Sequence, residues 1–143
     1  MYYIVSFSGG KDSTALLLRL LEEKKQVDDI VFFDTGWEWS AVYAHIKKVE
    51  SYIKRPITIL KPEKSFEYYM YEKPTKKGKG MGFPRFNIRW CTGLKKITIE
   101  TYLKNKKPYI SYLGFCKGEE YRVKRYTKET NLSFPLVEWG MTE

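Results

Sequence analysis

The stretch Ser6-Phe7-Ser8-Gly9-Gly10-Lys11-Asp12-Ser13-Thr14 constrains the fold more than any other part of the chain. Before it stands Tyr2-Tyr3-Ile4-Val5, with the β-branched and aromatic content of a buried strand. After it, Ala15 to Glu23 consists mostly of strong helix formers. The order is strand, glycine turn, helix. Adjacent glycines permit backbone angles closed to other residues and let a ligand approach the main chain. The first N–H groups of the helix lack internal partners and lie at the positive end of its dipole. Such a turn suits phosphate. Ser8, Ser13 and Thr14 add hydroxyl donors and Lys11 adds a cation. Asp12 is the candidate ligand of a Mg²⁺ ion bridging phosphate oxygens. The spacing is not that of a Walker loop. The plainer alternative is a strand-to-helix turn in which the serines and Asp12 cap the helix.

At 143 residues the chain is expected to form one domain, residues 1–143, large enough to bury a core. Its 43% apolar and 17% aromatic content exclude a disordered chain. No apolar run reaches the roughly 18 residues of a membrane span, and residue 2 already enters a strand, so a cytoplasmic protein is expected. Cys91 and Cys116 are too few for a disulfide scaffold. The net charge of +9 favours an anionic partner, and a nucleotide or a nucleic acid would both qualify.

Along the chain, Ile30 to Phe33 reads as a second buried strand that runs into Asp34-Thr35-Gly36. Ligands of open parallel sheets bind at the carboxyl ends of strands, which would place Asp34 and Thr35 beside the glycine turn. A plain turn is the alternative. A helix is expected from Ser40 to Tyr52, with the lone His45 on it as an ordinary, partly buried side chain. A strand follows at Ile57 to Leu60 and a short helix at Ser65 to Tyr71. Residues 73–82 hold four lysines, three glycines and a proline and read as an irregular, mobile loop. That loop is solvated surface, a flap over phosphates, or a contact to a nucleic-acid backbone. Arg85, Arg89, Lys95 and Lys96 cluster at the start of a helix ending near Lys104, where anions are favoured. Three roles stand for Cys91: small buried residue, nucleophile or metal ligand. A fourth strand spans Pro108 to Phe115, Glu119 and Arg122 are spaced to pair, and Phe134 to Val137 is expected as a short strand. Thr142-Glu143 has the composition of a helix start. Strands alternating with helices predict a three-layer α/β fold with a mostly parallel sheet of four or five strands.

Four stations carry a family resemblance: Ser8 to Ser13; Asp34-Thr35-Gly36; Arg89-Trp90-Cys91-Thr92 with Leu94-Lys95; and Gly114 to Arg122 followed by Phe134 to Gly140. With them the chain resembles the phosphoadenosine-phosphosulfate reductase family of the adenine nucleotide alpha-hydrolase-like (PP-loop) superfamily. The resemblance implies that Ser8, Gly9, Gly10, Lys11, Asp12, Ser13 and Thr14 hold phosphate or pyrophosphate. It implies that Phe7, Phe33, Asp34, Thr35 and Gly114 lie around an adenine nucleotide. It also implies that Arg89, Lys95 and Arg122 approach the anionic end of the substrate, with Lys11 and Asp12 in the catalytic set.

The chain departs from sulfonucleotide reductases, which carry a catalytic cysteine in a C-terminal tail; here none follows Cys116, and the domain is expected to lack that extension. The intact Gly-Gly-Lys-Asp-Ser string is more similar to relatives that cleave ATP between the α and β phosphates, such as the nucleotide-binding subunit of ATP sulfurylase. The Arg-Trp-Cys-Thr segment is similar to that of sulfurtransferases of DNA phosphorothioation systems, where such a cysteine joins others on an iron–sulfur cluster. Cys91 would need further cysteines from a longer chain or a partner to do so, and no cluster is expected in this chain. The expected function is therefore Mg²⁺-ATP-dependent adenylyl transfer in sulfur-related chemistry. The alternatives are sulfonucleotide reduction and a non-catalytic nucleotide- or nucleic-acid-binding subunit of a larger assembly.

Overall fold

The computed structural model describes residues 1–126 and 128–143. In chain order the elements are β1 (Tyr2–Phe7), α1 (Lys11–Glu22), β2 (Asp29–Phe33), α2 (Ser40–Ile53), β3 (Thr58–Leu60), β4 (Pro74–Thr75), β5 (Gly78–Lys79), α3 (Trp90–Leu103), β6 (Tyr109–Tyr112), α4 (Glu120–Val123), β7 (Leu132–Ser133) and α5 (Pro135–Glu138). A π-helical turn spans Tyr68–Glu72, and 3₁₀ turns span Lys104–Lys106 and Lys124–Tyr126.

Five strands form one parallel sheet in the order β3-β2-β1-β6-β7. Its centre is β1, where Val5 lies in register between Ile30 of β2 and Tyr112 of β6. Helices on both faces complete the three-layer α/β architecture predicted from the alternation of elements. The chain builds outward from β1 to β3, then returns to place β6 on the other side of β1. That reversal opens the crevice in which parallel sheets bind ligands, at the carboxyl ends of β1 and β6.

The two faces of the sheet differ. Residues alternate sides along a strand, so Tyr3, Val5 and Phe7 of β1 pack with Leu16, Leu17 and Leu20 of α1 and with Ile46 and Val49 of α2. Phe7, Leu16 and Leu17 are fully buried, each contributing roughly 1.5–3 kcal/mol of apolar burial. On the other face, Tyr2 and Asp29 bond to Tyr102 and Lys106 beneath the end of α3. Ser6 and Ser111 are short polar residues on that face and leave a cavity under α3.

Several elements differ from expectation. The helix after the glycine turn starts at Lys11, inside the motif. Residues 73–82 are not wholly irregular, because β4 and β5 pair as a small antiparallel hairpin. Phe134 to Val137 is not a strand: Pro135 opens the helical turn α5, and the edge strand is Leu132–Ser133 instead. Proline has no N–H to give a sheet but suits the first turn of a helix. Thr142 and Glu143 are not helical. Among the described residues no helix is long and apolar enough to cross a membrane.

Candidate nucleotide site

Ser8 to Gly10 form the turn between β1 and α1. Gly9 has a φ of +77°, and a Cβ there would stand 3.0 Å from Cγ1 of Val42 on α2. Glycine therefore meets both a conformational and a spatial requirement. Gly10 caps α1 with no side-chain hydrogen bond, so no side chain competes with an anion for the first-turn N–H groups. The loop's own hydroxyls brace it. Ser13 Oγ donates to the Gly10 carbonyl at 3.1 Å and accepts from the Ser8 N–H at 3.2 Å. Its single hydrogen is thus spent, and Ser8 Oγ donates to it at 3.0 Å. Thr14 Oγ1 also donates to the Gly10 carbonyl, at 2.8 Å. Ser13 is buried, whereas Lys11 is exposed and pairs loosely with Glu143 at 3.6 Å.

At the end of β2, Asp34 is buried, and its Oδ1 accepts from the Gly36 N–H at 2.8 Å and the Tyr43 hydroxyl at 2.7 Å. Burial and the Asp34 carboxylate hold the Tyr43 phenol above its ordinary pKa. Thr35 donates to Glu38 at 3.0 Å. Phe33 and Thr35 face the aromatic cluster of Phe66, Tyr69 and Trp90. Phe7, also expected near the nucleotide, is fully buried on the opposite face of the sheet, stacked on His45 at 6.5 Å.

Arg89, Lys95 and Arg122 come together around one cavity of about 1120 Å³, floored by Ser6 and Ser111 and walled by Leu113 and Phe115. Ligand pockets typically run to about 300–1,000 Å³, so this one can hold a nucleotide-sized anion. Burial holds the Lys95 ammonium below its ordinary pKa, opposed by the Glu38 carboxylate. Among the described residues neither Arg89 nor Lys95 forms a salt bridge. Arg122 pairs with Glu119, as its spacing predicts, and its guanidinium lies 4.1 Å from the Phe115 ring centre. Glu119 also accepts from the Cys116 N–H at 3.0 Å, which ties the segment after β6 into a compact turn. Gly114 lies in that segment against the first turn of α1.

The two cysteines lie apart. Cys116 is buried in the main core, and burial together with the neighbouring Asp12 carboxylate pushes its thiol up to about 11. Cys91 is half-buried against the Phe66–Trp90 cluster. Neither thiol lines the cation-rimmed cavity. Among the described residues no three His, Cys, Asp or Glu side chains converge on one position. Asp12 lies in the first turn of α1; a Mg²⁺ ion is typically held by one or two carboxylates plus substrate phosphates.

Three participants escaped the sequence reading. His45 Nε2 lies 2.9 Å from Thr14 Oγ1. This hydrogen bond extends the loop's bracing into α2. Glu38 and Tyr43 likewise hold Thr35 and Asp34. The Thr35–Glu38 bond spans three residues of one loop and could have been found from its Thr-x-x-Glu spacing, whereas nothing in the spacing of His45 or Tyr43 announces its partner.

A family profile for the phosphoadenosine phosphosulfate reductase domain matches residues 2–140. Two uncharacterized proteins of Methanocaldococcus jannaschii are 29% and 28% identical to this chain, each over 96% of it. The chain spans only 29% and 33% of their lengths. An uncharacterized nin region protein of Escherichia phage lambda is 41% identical over 63 residues, which cover 42% of this chain and 21% of the phage protein. With a profile match over nearly its whole length and a glycine loop at the centre of a parallel sheet, the chain belongs to the phosphoadenosine phosphosulfate reductase domain family of the PP-loop superfamily.

Proposed function

We propose that the domain binds Mg²⁺-ATP at the turn between β1 and α1 and transfers its adenylyl group to an anionic acceptor. The observation that carries this reading is the meeting of Arg89, Lys95 and Arg122 around a cavity that neither cysteine lines. An acceptor oxygen attacks the α-phosphorus in line. The new P–O bond forms as the bond to the bridging oxygen breaks, and pyrophosphate leaves with the electron pair. The protein's part is positioning and charge stabilisation. The N–H groups of the first turn of α1 and Lys11 take the leaving pyrophosphate, and Asp12 would hold the ion, which would neutralise phosphate charge. Arg89, Lys95 and Arg122 hold the acceptor, while Phe33, Asp34, Thr35 and Gly114 bound the nucleoside.

The family itself favours a second reading, sulfonucleotide binding. There a thiolate attacks sulfur, the S–O bond breaks, and the adenosine phosphate leaves. Cys116 is buried and protonated at neutral pH and Cys91 does not line the cavity, so the thiol would come from another protein or segment.

Thermal stabilisation by Mg²⁺-ATP, adenosine phosphosulfate and phosphoadenosine phosphosulfate separates the two. A ligand at one hundred times its Kd adds about 2.7 kcal/mol. Stabilisation by ATP that is lost in Lys11→Met, with pyrophosphate released on adding acceptor anions, is the expected result. Stabilisation by the sulfonucleotides alone would overturn adenylyl transfer in favour of the second reading.

A further inference from the structure

Beyond the cavity, residues 73–89 make a surface of different character. They include Lys73, Lys76, Lys77, Lys79, Arg85 and Arg89 and no carboxylate. The β4–β5 hairpin presents Lys76, Lys77 and Lys79 to solvent. Its base is fixed by bonds from the Gly80 N–H to the Lys73 carbonyl at 2.7 Å and from the Met81 N–H to the Tyr69 carbonyl at 2.9 Å. Next along the chain, Arg85 and Ile88 exchange backbone bonds at 3.2 and 2.8 Å, which puts Phe86 at the tip of a tight turn.

Phe86 is 85% exposed and Phe83 is 65% exposed. Core packing does not account for rings so open to water. Phe83 meets Trp37 edge-on at 6.5 Å, and Trp37 stacks on Phe66 at 4.7 Å. The Trp37 indole N–H is anchored on Glu67 at 2.7 Å. The Arg89 guanidinium lies 5.4 Å from the Phe86 ring centre. Phe83 and Trp37 therefore stand on an ordered aromatic base, and Phe86 stands beside Arg89; among the described residues the cations of this stretch form no salt bridge.

We propose that this surface binds a single-stranded nucleic acid, its bases stacked on Phe83, Phe86 and Trp37 and its phosphates on the hairpin lysines. Each base has a π-face for an open aromatic ring, and each phosphate has a charge for a lysine. An apolar protein segment would leave the lysines uncompensated, and a duplex keeps its bases stacked inside. The charge pattern and the open rings thus select one occupant. The assignment stands independently of adenylyl transfer.

The test is fluorescence anisotropy of labelled oligo-dT and oligo-U, with duplex DNA as comparison, at several salt concentrations. Two variants accompany the native chain: Phe83→Ala/Phe86→Ala and Lys76→Gln/Lys77→Gln/Lys79→Gln. All five side chains are exposed, and melting curves report whether the fold is kept. Single strands should bind more tightly than duplex. The phenylalanine pair should weaken binding roughly fivefold to a hundredfold per base unstacked. The lysine triple should flatten the salt dependence by about 2 in log–log slope, at about 0.7 per phosphate contact. No binding of either single strand at low salt, duplex bound as tightly as single strands, or a phenylalanine pair without effect would each overturn the proposal. ATP-induced stabilisation, measured on the same variants, should be unchanged and reports the nucleotide site separately.

Discussion

Gly114 lies so close to Ser13 that a Cβ on it would stand 3.1 Å from both the Cα and the backbone nitrogen of Ser13. The segment leaving β6 thereby touches the first turn of α1 through bare backbone, and neither side can yield without moving the glycine turn. Gly114→Ala should lower stability in urea by about 1–3 kcal/mol and remove stabilisation by nucleotide. Gly10→Ala is the contrast. Its Cβ would meet only Ser8 Oγ, at 3.5 Å, and its φ is −84°, so stability should change by less than about 1 kcal/mol.

The two thiols should react very differently. In native protein at pH 8, a thiol reagent should modify half-buried Cys91 well before buried Cys116, which should react only on unfolding. The Cys116 thiol is raised from 9.0 to about 11. Its stabilising contribution is full below pH 9 and is lost as pH rises through 11. Stability measured from pH 8 to 11 should fall less steeply in Cys116→Ala than in the native chain. Equal slopes would show that the thiol does not titrate this way.

Lys95 carries its charge at a cost. Burial lowers its folded pKa below the unfolded value of 10.5, so the penalty is present at neutral pH and fades as pH rises through the folded pKa. Lys95→Met should raise the Tm of the ligand-free domain at pH 7 by roughly 2–4 °C, the effect of about 1 kcal/mol at this size. The same variant should lose stabilisation by the anionic ligands. A lower Tm with ligand stabilisation intact would contradict the placement of this ammonium at the anion site.

Asp29 is a clamp at the amino end of β2, the opposite end of the sheet from the glycine turn. It accepts from Thr58 at 2.8 Å and Tyr102 at 2.6 Å, and Lys106 lies 3.4 Å away. Burial alone would raise its pKa, but the bonds from Tyr102 and Thr58 and the Lys106 charge outweigh it, leaving it below 3.8. Its stabilisation is present above that pH and is lost as pH falls through the folded pKa. Asp29→Asn should cost about 1–3 kcal/mol in urea unfolding at pH 7. It should also flatten the acid limb of the stability curve.

What could be read from the sequence follows the range of the forces involved. β1 and β2 were legible because strands buried on both faces read as short continuous apolar runs, α2 because its apolar residues recur at helical spacing, and Leu16, Leu17 and Leu20 mark the helix that follows the loop. The edge of the sheet was not. Phe134 to Val137 looks apolar enough for a strand, but the missing N–H of Pro135 decides for a helical turn. Among the candidate residues, Arg85, Arg89, Lys95 and Lys96 were visible as an anion-favouring cluster and Arg122 entered through the family resemblance; the fold puts Arg89, Lys95, Lys96 and Arg122 around one cavity and leaves Arg85 outside its lining. Burial of Phe7 away from the crevice required the parity of β1 relative to α1, and the bond between His45 and Thr14 required the crossing of two helices.

The alternation along β1 also has a bearing on how such a domain can change. Phe7 and Val5 belong to the packed layer, while Ser6, between them, belongs to the cavity floor. Ser111, facing the same space from β6, precedes the core residue Tyr112 in the same way. Enlarging either serine would reshape the cavity without exchanging a core side chain. Selection, or an engineer, can therefore alter the shape of that cavity and the packing of the opposite layer on neighbouring residues of one strand.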